Sequence, residues 1–395
     1  METIYTELHS YFEEMVAVRR YLHERPELSF QEVHTPAYIA KFHREIGLQV
    51  KEGVGGRGVV AKLQGALPGR TIALRADFDA LAIQELNEVP YKSKNDGIMH
   101  ACGHDGHTAT LLILAKVLAK HQEELCGTIV FIHQHAEELA PGGAIAMIED
   151  GCLEGVDEIY GTHLWAPFEL GTIHLKSGPI MAAADRFEIT IQGNGGHGAE
   201  PHQALDAIVV ASHFVTQLQT IVARNIDPLQ SAVVSIGHFE AINPFNVIAD
   251  HVHLLGTVRT FSEDVRGQIK EKIEQLLNGI CTSFGATNQF TYTEGYPPVI
   301  NHEEQAQIVA ELAKSCTEIE QVLPCAPMMI GEDFAYYLQH VPGAFFFTGA
   351  KERHAEKVYP HHHARFNFDE HAMLHAATVF AQILMTRLPG NKQLD

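Results

Sequence analysis

Positive charge is scarce in this chain: 28 lysines and arginines face 49 aspartates and glutamates across 395 residues, a formal charge of −21. No basic stripe interrupts that balance, which argues against the phosphate backbone of a nucleic acid as a partner. Long apolar runs are missing too. Nothing approaches eighteen uninterrupted apolar residues, so no membrane-spanning helix is expected. The six cysteines, at 102, 126, 152, 281, 316 and 325, form no CxxC pair and no dense framework. They read as reduced thiols of a cytoplasmic protein. The first residues lack a basic stretch leading into an apolar one, so a secretory signal is not expected. Instead Ile4, Leu8, Tyr11, Met15, Val18 and Leu22 recur at three- and four-residue steps, the mark of an amphipathic helix.

What remains is a globular composition, 46% hydrophobic and 19% charged, long enough for two domains. Histidine is the excess: there are 26, and imidazole is the commonest metal ligand. Between about residues 58 and 180, strand-like runs (Thr71–Arg75, Thr128–Ile132, Glu158–Gly161) alternate with helical ones, chiefly His104–Leu125. That order predicts an α/β mixed sheet with helices on both faces. From Asp185 the texture changes to strand (Arg186–Gln192), helix (Leu205–Val222), two strands (Ala232–Phe239, His251–Thr260) and a helix N-capped by Ser262. This β-α-β-β-α unit is a smaller α+β domain inserted in the first. The expected division is 1–183 and 296–395 for the discontinuous main domain, and 184–295 for the insert.

Two glycine-rich segments fit GxGxxG spacing. Gly53 to Gly58 leads into a strand rather than a helix, so it reads as a turn and not a dinucleotide fingerprint. Gly193 to Gly198 reads as a loop that presents His197.

The chemistry sits elsewhere. In Met99-His100-Ala101-Cys102-Gly103-His104-Asp105, a thiol and an imidazole two residues apart stand at the mouth of a long helix. His135-Ala136-Glu137-Glu138 follows the second strand, Gly161-Thr162-His163-Leu164 the third, and Asp77-Phe78-Asp79 ends the first. Open α/β sheets bind ligands beyond the carboxyl ends of their strands, so these groups could converge on a metal. A histidine triplet, His361-His362-His363-Ala364-Arg365, comes near the end and could complete the site.

In order and spacing, LRADFDAL, MHACGHDGHTA, HAEE, GTHL, GNGGHGAEPH, GTVRTF, GEDF and HHHARFNFDE resemble the M20 metallopeptidase family. The closer likeness is to its amidohydrolase subfamily, which acts on N-acyl amino acids, hippurate and auxin conjugates. The resemblance implies a homodimer formed through the inserted domain and a site for two divalent ions, Zn, Mn, Co or Ni. The ligands it implies are Cys102 (bridging), His104, Glu138, His163 and, three residues before Arg365, His362. It makes Glu137 the general base and Asp79 the acid that orients it. It also makes His197 the oxyanion donor, and Asn246 and Arg259 the substrate contacts. Ala82, Ala249 and Ala364 stand where family members usually have proline, which leaves substrate preference open. The expected reaction is hydrolysis of N-acyl amino acids by metal-activated water. The alternatives are a dinuclear dipeptidase and an inactive metal- or ligand-binding protein on the same scaffold.

Overall fold

The computed structural model describes residues 2–353 and 357–388. Two compact units emerge. One comprises the chain up to Gly178, Ile300–Ala326 and the chain from Asp333; the other comprises Pro179–Val299 and Pro327–Glu332.

The first unit is built on an eight-stranded mixed sheet. Its order is Gln49–Val54, Gly58–Gln64, Cys126–Gln134, Leu67–Asp77, Glu158–Trp165, Gly343–Gly349, Thr172–Leu175 and Gln321–Pro324. The four strands from Cys126–Gln134 to Gly343–Gly349 run parallel, with antiparallel pairs on either side. These four strands are largely buried on both faces, as a covered parallel sheet requires. Phe345 and Phe346 show the two covers. Adjacent strand side chains point to opposite faces. The Phe345 ring lies 5.0 Å from Phe334 of the helix Phe334–His340, and the Phe346 ring lies 5.6 Å from Phe380 of the helix His371–Arg387. Helices therefore flank both faces, as the sequence pattern predicts.

The Gly53 to Gly58 segment is the hairpin turn between the first two strands. The expected His104–Leu125 helix ends at Lys120, followed by a 3-10 turn, Gln122–Glu124. Its residues from His104 to Ala115 are all buried: the apolar run from Leu111 has no face to give to water, and the polar first turns are taken up by Arg19, Asp77 and Asp79. Gly103 just before it has φ 97°, a left-handed backbone that any side chain would strain. The Glu158–Gly161 strand continues to Trp165, so His163 lies inside a strand rather than just past one.

The second unit has a four-stranded antiparallel sheet ordered Ala232–Glu240, His251–Thr260, Ala183–Gln192 and Thr287–Thr293. Its alternating residues, Phe187, Ile189, Ile191, Val252 and Leu254 among them, pack on the helices Ala207–Thr220 and Glu263–Phe284. Asp206 caps the first helix, accepting from the Ile208 and Val209 amides, and Ser262 caps the second through Val265. Pro327–Glu332, which the sequence reading places with the C-terminal part, clusters with this unit. The Ala182 amide donates to the carbonyls of Met328 and Ile330, both at 3.0 Å.

One core contact in the first unit ties stability to pH. His43 and His133 are buried with Nε2 atoms 2.9 Å apart and no partner for either Nδ1. Burial pushes His43 down to about 3 and holds His133 well below the usual imidazole range, with His43 adding to the effect there. An unfolded histidine takes its proton near pH 6.5. Below that pH the unfolded chain binds more protons, so this part of the stability is complete above pH 6.5 and is lost as pH falls towards 3. Replacing both residues by leucine should leave stability nearly unchanged at pH 7.5. It should also flatten its fall between pH 6.5 and 4.5 by about 2 kcal/mol per pH unit in urea melts, roughly half from each histidine. An equal slope in both proteins would refute the contact's role.

Candidate metal centre

The centre forms where the parallel strands of the first unit end. The Leu67–Asp77 strand delivers Asp77 and Asp79, and Cys126–Gln134 runs into His135-Ala136-Glu137-Glu138. Glu158–Trp165 carries His163 near its end, and the helix His104–Lys120 starts beside them. Asp79 is fully buried and joins three pieces. Its Oδ2 accepts from the Ser29 hydroxyl at 2.6 Å and from the Glu138 amide at 3.0 Å, while its Oδ1 lies 3.2 Å from His104 Nδ1. Ala136, at φ 53°, turns the chain so that Glu137 and Glu138 diverge; its amide donates to the buried Glu32 carboxylate at 3.0 Å.

Imidazole tautomers decide which nitrogens remain available to a metal. His104 Nδ1 donates to the Asp79 carbonyl at 3.0 Å, leaving Nε2 buried and unpartnered. That nitrogen is 3.8 Å from Glu138 Oε1, itself unpartnered, and 4.0 Å from Glu137 Oε2. His163 Nδ1 donates to the Leu164 carbonyl at 3.0 Å, so its Nε2 lone pair faces Cys102 Sγ at 3.4 Å. His362, with φ 65° and its amide on the Ala101 carbonyl, places Nε2 3.2 Å from Glu138 Oε2.

Two nearby histidines are committed otherwise. His361 also approaches Cys102, with Nδ1 at 3.7 Å, but its Nε2 accepts from the Ala166 amide at 3.2 Å. Its neutral ring therefore carries the proton on Nδ1 and donates towards the sulfur. His107 donates from Nδ1 to Asp77 at 2.6 Å and accepts at Nε2 from the Leu164 amide at 3.0 Å. Of the close trio Asp77, His104 and His107, His107 has both ring nitrogens engaged, whereas His104 keeps Nε2 and the Asp77 carboxylate keeps acceptor capacity for an ion.

The electrostatics call for a cation. Burial would lower His104, yet Asp77, Asp79 and Glu138 raise it to about 10. Burial, Glu138, Glu137 and Asp77 together push the Cys102 thiol well above its usual value. A metal ion reverses that logic, since a coordinating thiol is deprotonated outright. The donors present (one thiol, imidazole nitrogens and a carboxylate, two of these atoms buried without partners) fit one or two borderline divalent ions.

Seven of the expected residues thus meet in the first unit: Asp79, Cys102, His104, Glu137, Glu138, His163 and His362. The other three belong to the second unit. His197 is exposed on a two-residue strand paired with Val247–Ile248, and the Gly198 amide donates to the Asn246 carbonyl at 2.8 Å, so His197 and Asn246 are neighbours. Arg259 lies on the central His251–Thr260 strand, half-buried, with no ion pair among the described residues. Burial lowers its guanidinium and Asp185 opposes that shift.

The sequence reading did not find the support beneath the centre. Arg75 donates to Asp77 at 2.7 Å, to Gln134 at 2.9 Å and to Asp333 at 2.8 Å, and Gln134 also donates to Asp333 at 2.7 Å. Burial raises Asp333 to about 6 against the pull of Arg75. The only hint in the chain was the motif GEDF, which carries no spacing that signals a partner 258 residues away.

The profile of peptidase family M20/M25/M40 matches residues 73–386. An N-acetyl-L-cysteine deacetylase of Bacillus subtilis is 42% identical over 380 residues, covering 96% of this chain and 89% of that protein. An N-acyl-L-amino acid amidohydrolase of Geobacillus stearothermophilus is 47% identical over 291 residues, 74% of this chain and 79% of its own. Among solved structures, YXEP of Bacillus subtilis, described as a dinuclear metal-binding peptidase of family M20, superposes with TM-score 0.84 at 36% identity. That match covers 96% of this chain and 98% of the other.

The tautomers separate the two adjacent histidines by experiment. His362→Ala should lose one bound ion after dialysis. His361→Gln should keep the full complement and weaken it by about 10–100-fold, the usual cost of removing a group that supports a ligand. Elemental analysis that finds the loss in His361→Gln instead would reverse the assignment.

Proposed function

This chain belongs to peptidase family M20/M25/M40 and is an amide-bond hydrolase of its amidohydrolase branch, and on that premise we propose that it cleaves N-acyl amino acids to a carboxylate and a free amino acid. The observation that carries the proposal is the pairing of Glu137 and Glu138: Glu138 faces the unpartnered donors while Glu137 stands beside them, buried and 4.0 Å from His104 Nε2. Mere binding of a metal has no use for the second carboxylate.

Cys102, His104, Glu138, His163 and His362 are the residues that would hold two divalent ions. When bound, such ions polarise the scissile carbonyl and lower the pKa of water from 15.7 to about 7. Glu137 takes the water's proton and hands it to the departing nitrogen, which must leave as a neutral amine. Asp79 fixes the base's neighbourhood through the Glu138 amide and orients His104. In the second unit, His197 is proposed to donate to the developing oxyanion. Asn246 is proposed to meet the acyl amide, and Arg259, with no ion pair among the described residues, to hold the substrate's α-carboxylate by its planar fork.

Activity on unblocked dipeptides is not favoured, since the named relatives act on N-acyl compounds. The six cysteines are buried thiols with no disulfide, and no described helix is long and apolar enough to cross a membrane. We place the enzyme in the cytoplasm, as a homodimer through the second unit.

Glu137→Gln should retain its metal and lose about 10²–10⁴-fold in kcat on N-acetyl amino acids. Undiminished turnover would remove Glu137 as the base. Arg259→Ala should raise KM for N-acyl amino acids while sparing the corresponding carboxamides. An equal loss on both substrates would disprove carboxylate recognition.

A further inference from the structure

The second unit carries a histidine–glutamate cluster with no part in the proposed reaction. One face of its sheet is spent on the two helices. The other face is set by the strand Ala232–Glu240, which begins in register with inward-facing Val234 opposite Val258 and Ile236 opposite Gly256. A bulge then follows: Gly237 is skipped, and His238 pairs with Leu255. That one-residue shift inverts the alternation, because side chains in a strand alternate faces with period two. Without it His238 and Glu240 would point towards the helices. With it they share the outward face with His253, opposite Glu240, and with Glu188 on the next strand.

The four side chains are close. His238 Nε2 lies 2.9 Å from Glu240 Oε2, His253 Nε2 lies 2.9 Å from Glu188 Oε1, and the two rings are 5.9 Å apart. One donor atom each from His238, Glu240 and His253 falls within a 4.8 Å group. The far oxygen of Glu188 is engaged by Arg186 at 3.1 Å, so Glu188 serves better as the partner that orients His253 than as a ligand. Two imidazoles and a carboxylate fixed by neighbouring strands suit a borderline ion more than a hard one. From this we infer a second metal site: His238, Glu240 and His253 bind one divalent ion of the zinc class. Bound there, the ion would pin the edge strand to its neighbour across the bulge.

The test uses the full chain loaded with Zn²⁺ and dialysed against a weak zinc indicator. The wild type should hold one more equivalent than a His238→Asn/His253→Asn double variant, whatever number the catalytic centre holds. The added equivalent should raise the melting temperature of the wild type alone. Hydrolysis of N-acetyl amino acids should be the same in both, which keeps this outcome separate from the reading of the catalytic centre. As a control on folding, His-selective NMR of the wild type should show the His238 and His253 ring signals moving with that last equivalent. Equal zinc content in the two proteins, or ring signals that stay in place, would overturn the proposal.

Discussion

Asp79 is a small group on which much of the first unit's centre depends. Its carboxylate is fully buried, and three segments distant in sequence meet on it: Ser29, the start of the His104–Lys120 helix and the backbone of Glu138. Burial alone would favour its neutral form, but the His104, Ser29 and Glu138 contacts hold it below the usual carboxylate range. Its carbonyl and its carboxylate together receive His104 Nδ1, and the tautomer so fixed leaves Nε2 aimed at Glu138. A strand end, a helix start and a loop become one rigid piece through a single charged group. Rigidity of this kind is what a site needs to hold reacting atoms within a fraction of an ångström.

The same economy of charge explains why cations suit the centre. Asp77, Asp79, Glu137 and Glu138 crowd together with Arg75 as the guanidinium below them, itself divided between Asp77 and Asp333. Buried charges of one sign are costly unless opposed. His104, drawn up to about 10, shows how strongly the pocket attracts positive charge. A divalent ion would answer that attraction and, once bound, would turn the Cys102 thiol into a thiolate ligand, as the proposed function requires.

Much of this was legible in the chain because it is local. CxH ahead of a helix, EE after a strand and the buried Ala/Leu run from Leu111 to Leu118 are patterns of a few residues, and the fold places them as strand ends require. The sequence puts His163 just past a strand, yet it lies within one, since nothing in Thr162-His163-Leu164 marks an end and the ladder with Gly343–Gly349 carries on to Trp165. The choice within the histidine triplet was not local. His361, His362 and His363 differ only in what they meet: the Ala166 amide, Glu138, and the ring of Tyr359 at 4.5 Å. The Arg75–Asp333 pair and the return of Pro327–Glu332 to the second unit were likewise invisible, because contacts between remote segments leave no period in the sequence. The bulge at Gly237 belongs with them, as one glycine in a strand does not say which way the next side chain turns.

The most direct test is to strip the purified enzyme with a chelator and return Zn²⁺ or Mn²⁺ stepwise, recording bound metal and hydrolysis of an N-acetyl amino acid in the same samples. Hydrolysis should vanish in the stripped protein and return in step with the ions bound at the Cys102 centre. Full turnover in metal-free protein, or metal restored without any hydrolysis of N-acyl amino acids, would contradict a metal-dependent deacylase.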